Sequence, residues 1–248
     1  MTVLTDPEGT VIVTRIITYC LLFVASISLT YYTRQNARRQ TIKSEMWQYV
    51  ILTGIVGTIY AFTATAETVA AAEILTANTE LVSAIRRVCQ LFFIIFLALA
   101  MRELYYESPQ KSDGLASQLP IESIRYIEAG FLIVVFIEFM VIILLGLVDI
   151  ARIVQLAAAI AFTVYGVSFA TGIKGAAMTQ RTVLDTMLTY IIAVLLSAGG
   201  ASAAEVGVVI GIQPAIVESV GIVLTIMSIT FLLVLTTRLK QNVVDVSV

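Results

Sequence analysis

Histidine is absent from all 248 residues, and no other absence excludes as much chemistry. Bis-histidine haem, His-ligated zinc or copper, and a Ser-His-Asp triad each require an imidazole. Cysteine is almost as scarce. Cys20 and Cys89 both lie inside apolar runs and supply neither a disulfide framework nor a metal cluster. Tryptophan occurs once, at Trp47. Charged residues make up 13% of the chain, against roughly 25% in a soluble domain. The net charge of −2 argues against a nucleic-acid partner. No glycine-rich stretch has the spacing of a phosphate loop or a dinucleotide fingerprint. No catalytic, cofactor-binding or metal-binding residue is therefore assigned, and no enzyme activity is expected.

What is present is apolar sequence, 59% of residues, with a mean hydropathy of +0.96. About 20 apolar residues cross a bilayer, and seven such runs are found. They cover 11–32, 46–66, 81–101, 129–148, 153–173, 182–204 and 214–237. The first is preceded by Asp6 and Glu8 and not by a basic stretch, so it reads as a retained helix and not as a signal peptide. The expectation is an all-α membrane protein, one up-and-down bundle of seven transmembrane helices occupying residues 1–248. Short connections make successive helices neighbours. The one long connection, Arg102 to Ser123, contains Pro109, Gly114 and Pro120.

Basic residues in loops stay cytoplasmic, which sets the orientation. With the amino terminus outside, eleven Lys and Arg fall on the cytoplasmic side, and four (Arg15, Arg86, Arg87 and Arg152) fall opposite. The predicted topology is amino terminus outside and carboxyl terminus cytoplasmic, in the cell membrane.

An ionisable group inside hydrocarbon costs about 2.5–3.5 kcal/mol at a helix centre, so each one needs a reason. Glu138 sits near the middle of the fourth run. Arg86 lies a turn or two inside the third, Gln90 follows on the same stripe, and Glu218 lies at similar depth in the seventh. These four form the candidate intramembrane polar cluster, in which Arg86 and Glu218 are expected to pair and lock the third helix to the seventh. Arg15 reads as an edge residue, and Asp185 as a cap or a partner of Arg181. Small residues such as Gly54, Gly57, Gly166 and Ala170 are expected at close helix contacts or at an oligomer face.

Several stretches resemble the microbial (type 1) rhodopsins. Residues 49–57 are similar to the Tyr-Val-x-Leu-x-Gly-Ile-x-Gly run of the family's archaeal sensory members. Ala158 to Tyr165, followed by Lys174-Gly175-Ala176, is similar to the family's fifth helix and exit loop. Arg181-Thr182-Val183-Leu184 resembles the opening of its sixth helix, with Tyr190 near the pocket tyrosine. The resemblance implies an opsin-like bundle, whose retinal would be held on a lysine midway along the last helix. Lys43, Lys111, Lys174 and Lys240 all fall in loops or at helix ends. The lysine position holds Ile222 if Glu218 is matched to the family's carboxylate, or Ile229 if the helix end at Arg238 is matched. Cys89 stands at the counterion position and Gln90 at that of a pocket tryptophan.

The chain thus looks like a lysine-less homologue, with no covalent retinal and no other cofactor expected. The function this implies is a sensor or accessory signalling protein coupled to a membrane or cytoplasmic partner. The alternatives are a proton or ion conductor using Glu138, Arg86 and Glu218, and a structural subunit of a larger membrane complex. Expected partners are the lipid bilayer and either further copies of the chain or another membrane protein.

Overall fold

The computed structural model describes residues 7–39, 44–72, 79–107, 122, 124–126, 128–133, 135–136, 148–177 and 183–245. Its helices are α1 (Pro7–Arg39), α2 (Glu45–Ala71), α3 (Thr79–Glu107), α5 (Val148–Ala177), α6 (Val183–Ala204) and α7 (Pro214–Asp245). Between α3 and α5, the described residues from 122 to 136 are also helical and are designated α4. A 3-10 turn, Glu205–Val208, follows α6. No strand occurs among the described residues. Among the described residues six helices, α1, α2, α3, α5, α6 and α7, are long and apolar enough to cross a membrane, which makes this a multi-pass membrane protein by length and composition.

The helices outrun the apolar runs that reveal them. The third span was expected to stop at Met101, yet α3 continues to Glu107. Helical residues resume at 122, ahead of the expected start at 129. Residues 102–107 and several between 122 and 128 are therefore helical and not loop. Apolar length measures bilayer thickness, whereas a helix ends where its backbone bonding ends, and Arg and Glu are good helix formers. Residues 108–121 and 137–147 lie outside the described residues, and with them Glu138.

Successive helices pack side by side from α1 to α3 and from α5 to α7, α3 meets α5, and α7 returns to α1. The ring also has an internal contact, because α3 touches α6 across it. Accordingly α3 is the most enclosed span, with 61% of its apolar window buried. Leu91, Ile94, Ile95, Leu97 and Met101 are buried in one continuous core with Leu188, Leu195, Leu232 and Leu235. The bundle's surface is also apolar, with Val24, Phe62, Val164 and Val223 outward. An apolar exterior around an apolar core is the pattern of a helix bundle solvated by lipid.

Backbone approach is set by small residues. A β-carbon at Gly54 would stand 2.2 Å from Thr30 Oγ1 of α1, and one at Gly166 would stand 2.9 Å from both Ala98 of α3 and Leu195 of α6. Several hydroxyls inside the spans are satisfied locally, Thr53, Thr68 and Thr236 each donating to the carbonyl four residues earlier, whereas the buried hydroxyls of Ser26, Thr33, Thr163 and Ser202 have no partner among the described residues. One buried hydroxyl pair crosses between helices, Ser228 Oγ donating to Ser197 Oγ at 2.8 Å.

Gly166→Ala is expected to lower thermal stability by about 1–3 kcal/mol through overpacking. Gly221→Ala, where an added β-carbon meets nothing within 4 Å, is expected to be neutral or stabilising. Thermal unfolding in a fixed detergent measures both, and equal effects at the two sites would contradict the packing.

Candidate functional site

Polar residues gather at the two ends of α3. Its rise of about 1.5 Å per residue sets Arg86 and Arg102 about 24 Å apart along the axis. Between them, the eleven residues from Leu91 to Met101 carry no charge and no hydroxyl.

At the amino-terminal end of α3, a vestibule of about 310 Å³ is walled by α1, α2, α3, α6 and α7. Arg86 is its centre, with a side chain only 11% exposed. Its Nε lies 2.5 Å from Glu67 of α2, and its Nη1 donates to Glu205 at 2.9 Å. Nη1 also faces Gln90 Oε1 at 3.4 Å. Arg87 Nε lies 3.8 Å from the other oxygen of Glu205, while the Arg87 carbonyl accepts a bond from Gln155 of α5. Glu205 reaches this position because α6 ends in the 3-10 turn. The chain then reverses through Gly211 at φ +88°, and Pro214 opens α7. Across the vestibule, Arg15 Nε and Glu218 Oε1 pair at 2.8 Å and tie α1 to α7. Three arginines thus face three carboxylates on its walls, and its floor is Tyr60, Gln90 and Thr225.

The expected Arg86–Glu218 latch is therefore not the one formed. Arg86 takes Glu67 and Glu205, Glu218 takes Arg15, and the helix pair joined through Glu218 is α1 with α7. Depth along a helix follows from counting residues, but the direction a side chain faces depends on which helices are neighbours. Here α7 is packed against α1, so Arg15 is not merely an edge residue. Arg86, Gln90 and Glu218 do line one cavity. Glu138 and Arg181 lie outside the described residues, as does the side chain of Asp185.

At the opposite end of α3 is a second, drier cluster that the sequence reading assigned to a loop. Arg102 is 1% exposed; it bonds Glu128 of α4 and its own neighbour Glu103. Tyr165 of α5 donates to the second oxygen of Glu128. Arg125 bridges Glu103 at 3.4 Å and Glu45 at 3.1 Å, and the Tyr49 ring lies 5.9 Å from the Arg102 guanidinium carbon. Glu107 completes the cluster by accepting bonds from Ser44 Oγ and the Glu45 amide, so a carboxylate of α3 sits at the amino terminus of α2. The sequence signal for this cluster was Arg102-Glu103 directly abutting an unbroken apolar run.

Between the clusters, the void beside Gln90, Phe93 and Ser228 measures about 20 Å³, room for roughly one water. Of the two positions aligned with a retinal lysine, Ile222 is on the vestibule wall and Ile229 is buried in the core. Among the described residues, no group of three His, Cys, Asp or Glu is placed to hold a metal ion. Chemically, each cluster holds charge in a network of ion pairs and hydrogen bonds that joins several helices.

A double-mutant cycle on thermal stability is expected to give a coupling of about 0.5–3 kcal/mol between Arg86 and Glu205, and none between Arg86 and Glu218. Coupling to Glu218 would contradict the geometry. Arg102→Met, which takes from buried Glu128 its guanidinium and leaves Glu103 only the half-exposed Arg125, is expected to cost about 3–5 kcal/mol. Arg15→Met, at a pair exposed by about a third, is expected to cost less than about 1 kcal/mol. Comparison of the chain with protein-family models, with curated proteins and with solved structures finds no match in any of the three.

Proposed function

We propose that this chain is a non-enzymatic, retinal-free membrane protein of opsin-like architecture that acts as a sensor or accessory protein, not as a conductor. The observation that carries this reading is the stretch from Leu91 to Met101, through which α3, the most enclosed span, carries no charge and no hydroxyl between the Arg86 and Arg102 clusters. A proton or ion path needs polar groups or water at short intervals across the hydrocarbon. Among the described residues no ionisable carboxylate or base stands in that layer, and α3 fills its centre with Leu, Phe, Ile, Ala and Met.

A sensor, by contrast, needs two sites joined by a stiff element with alternative pairings at its ends. The vestibule is wide enough for water, its arginines and carboxylates balance, and it meets the Arg102 cluster through one continuous helix. A stimulus that changed the partners of Arg86 would shift α3 and with it the ties of Arg102 to α4 and α5. On the orientation read from the basic residues, the vestibule faces outward, and the Arg102 cluster faces the cytoplasm at the root of the 108–121 connection. The isoleucines at 222 and 229 support the absence of a Schiff-base pigment, since neither side chain holds an amine.

Reconstituted into liposomes, the protein is expected to pass no protons, sodium, potassium or chloride above the level of protein-free vesicles. A selective flux that Glu138→Gln abolishes would replace the sensor reading with a conductor. Incubation with retinal is expected to give no borohydride-trappable visible band, and such a band would overturn the retinal-free assignment. Deleting residues 108–118 is expected to preserve folding while uncoupling a cytoplasmic partner, and undiminished signalling without that segment would remove it from the mechanism.

A further inference from the structure

A second cavity, of about 210 Å³, lies inside the ring at the Arg102 end, apart from both charged clusters. Five helices wall it, with Trp47 and Val50 from α2, Leu104 from α3, Ile191 from α6, and Leu235 and Leu239 from α7. Met46 and Met187 add flexible thioethers that adapt to aromatic guests. Among the described residues none of its lining side chains is charged, so an ionic guest would be buried there without a counter-charge from them, at high cost.

Two amides also line the cavity. Asn36 Nδ2 is engaged with the carbonyls of Tyr32 at 2.8 Å and Leu239 at 3.0 Å, which fixes the side chain and ties α1 to α7. Asn242, one turn beyond Leu239, also lines the cavity, and its amide bonds no described residue. An apolar cavity of about 150 Å³ stays dry and takes up benzene, so this one has room for a larger ring system.

We infer that this cavity is a binding site for an uncharged, compact aromatic molecule of about two fused rings carrying one hydrogen-bonding group, which Asn242 would engage. Trp47 is the chain's only tryptophan and lines the cavity, so it reports on occupancy without labelling. This inference stands apart from the sensor reading, because its test involves no signalling partner and no flux.

The probe is 1-aminonaphthalene, titrated into the full-length protein in lipid nanodiscs while energy transfer from Trp47 is followed. Saturable transfer at one probe per chain is expected, together with no competition from the anion 1-naphthoate. Val50→Phe, which fills the cavity from α2, is expected to abolish saturation. Asn242→Leu, at a half-exposed position that folding tolerates, is expected to weaken 1-aminonaphthalene by about fivefold to tenfold, the worth of one hydrogen bond, while leaving 1-methylnaphthalene unchanged. Transfer that rises linearly without saturation, and identically in wild type and Asn242→Leu, reflects partition into lipid only and overturns the site. Equal competition by 1-naphthoate overturns the assignment of an uncharged ligand.

Discussion

A guanidinium keeps its proton under any condition a cell offers, so an arginine buried in a bilayer must bring its counter-charges with it. Arg86 and Arg102 impose that requirement at the two ends of α3, and much of the bundle's order follows from meeting it. Arg86 draws Glu67 from α2 and Glu205 from the turn after α6. Arg102 draws Glu128 from α4, which in turn fixes Tyr165 of α5. Helices that share no hydrophobic driving force in lipid are thereby given specified neighbours. α7 closes on α1 through an ion pair at one end, Arg15–Glu218, and through Asn36 and Arg39 donating to α7 carbonyls at the other.

The functional reading depends on what these clusters leave between them. Among the described residues charge is confined to the ends and α3 fills the middle with apolar side chains, and the proposal of a transmitted displacement instead of an ion route rests on that arrangement. The contacts at Gly54 and Gly166 reinforce this, because backbones that approach this closely leave little space for water between α1 and α2, or among α3, α5 and α6. Two of the described cavities lie toward the two ends, one lined with charge and one almost wholly apolar.

The fold was legible where it depends on transfer free energy. Runs of about 20 apolar residues marked six of the long helices, and Gly54, Gly57 and Gly166 marked close contacts, because both signals are local. The pairing of charges was not legible. Arg86 and Glu218 were correctly set at one level, since depth accrues at a fixed rise per residue, but their partners depend on azimuth and helix order. Glu67 and Glu205 each follow an apolar run, as a loop acid would, yet Glu67 lies within α2 and Glu205 in the turn after α6, and both pair with Arg86. Arg102 and Glu103 fall in the expected connection from Arg102 to Ser123, and Glu128 just ahead of the fourth run, because charge at the edge of an apolar run looks the same whether it meets water or a buried counter-ion. Only tertiary contact distinguishes these cases.

Cysteine accessibility along α3 tests the sealed middle most directly. In a background lacking Cys20 and Cys89, single cysteines are placed in turn from Ser83 to Tyr106 and exposed, in sealed vesicles, to a membrane-impermeant thiol reagent from either side. Labelling is predicted near Arg86 from one side and beyond Arg102 from the other, with silence at every position from Leu91 to Met101. Labelled positions recurring every three or four residues through that stretch would reveal a water-filled path along α3 and contradict the account.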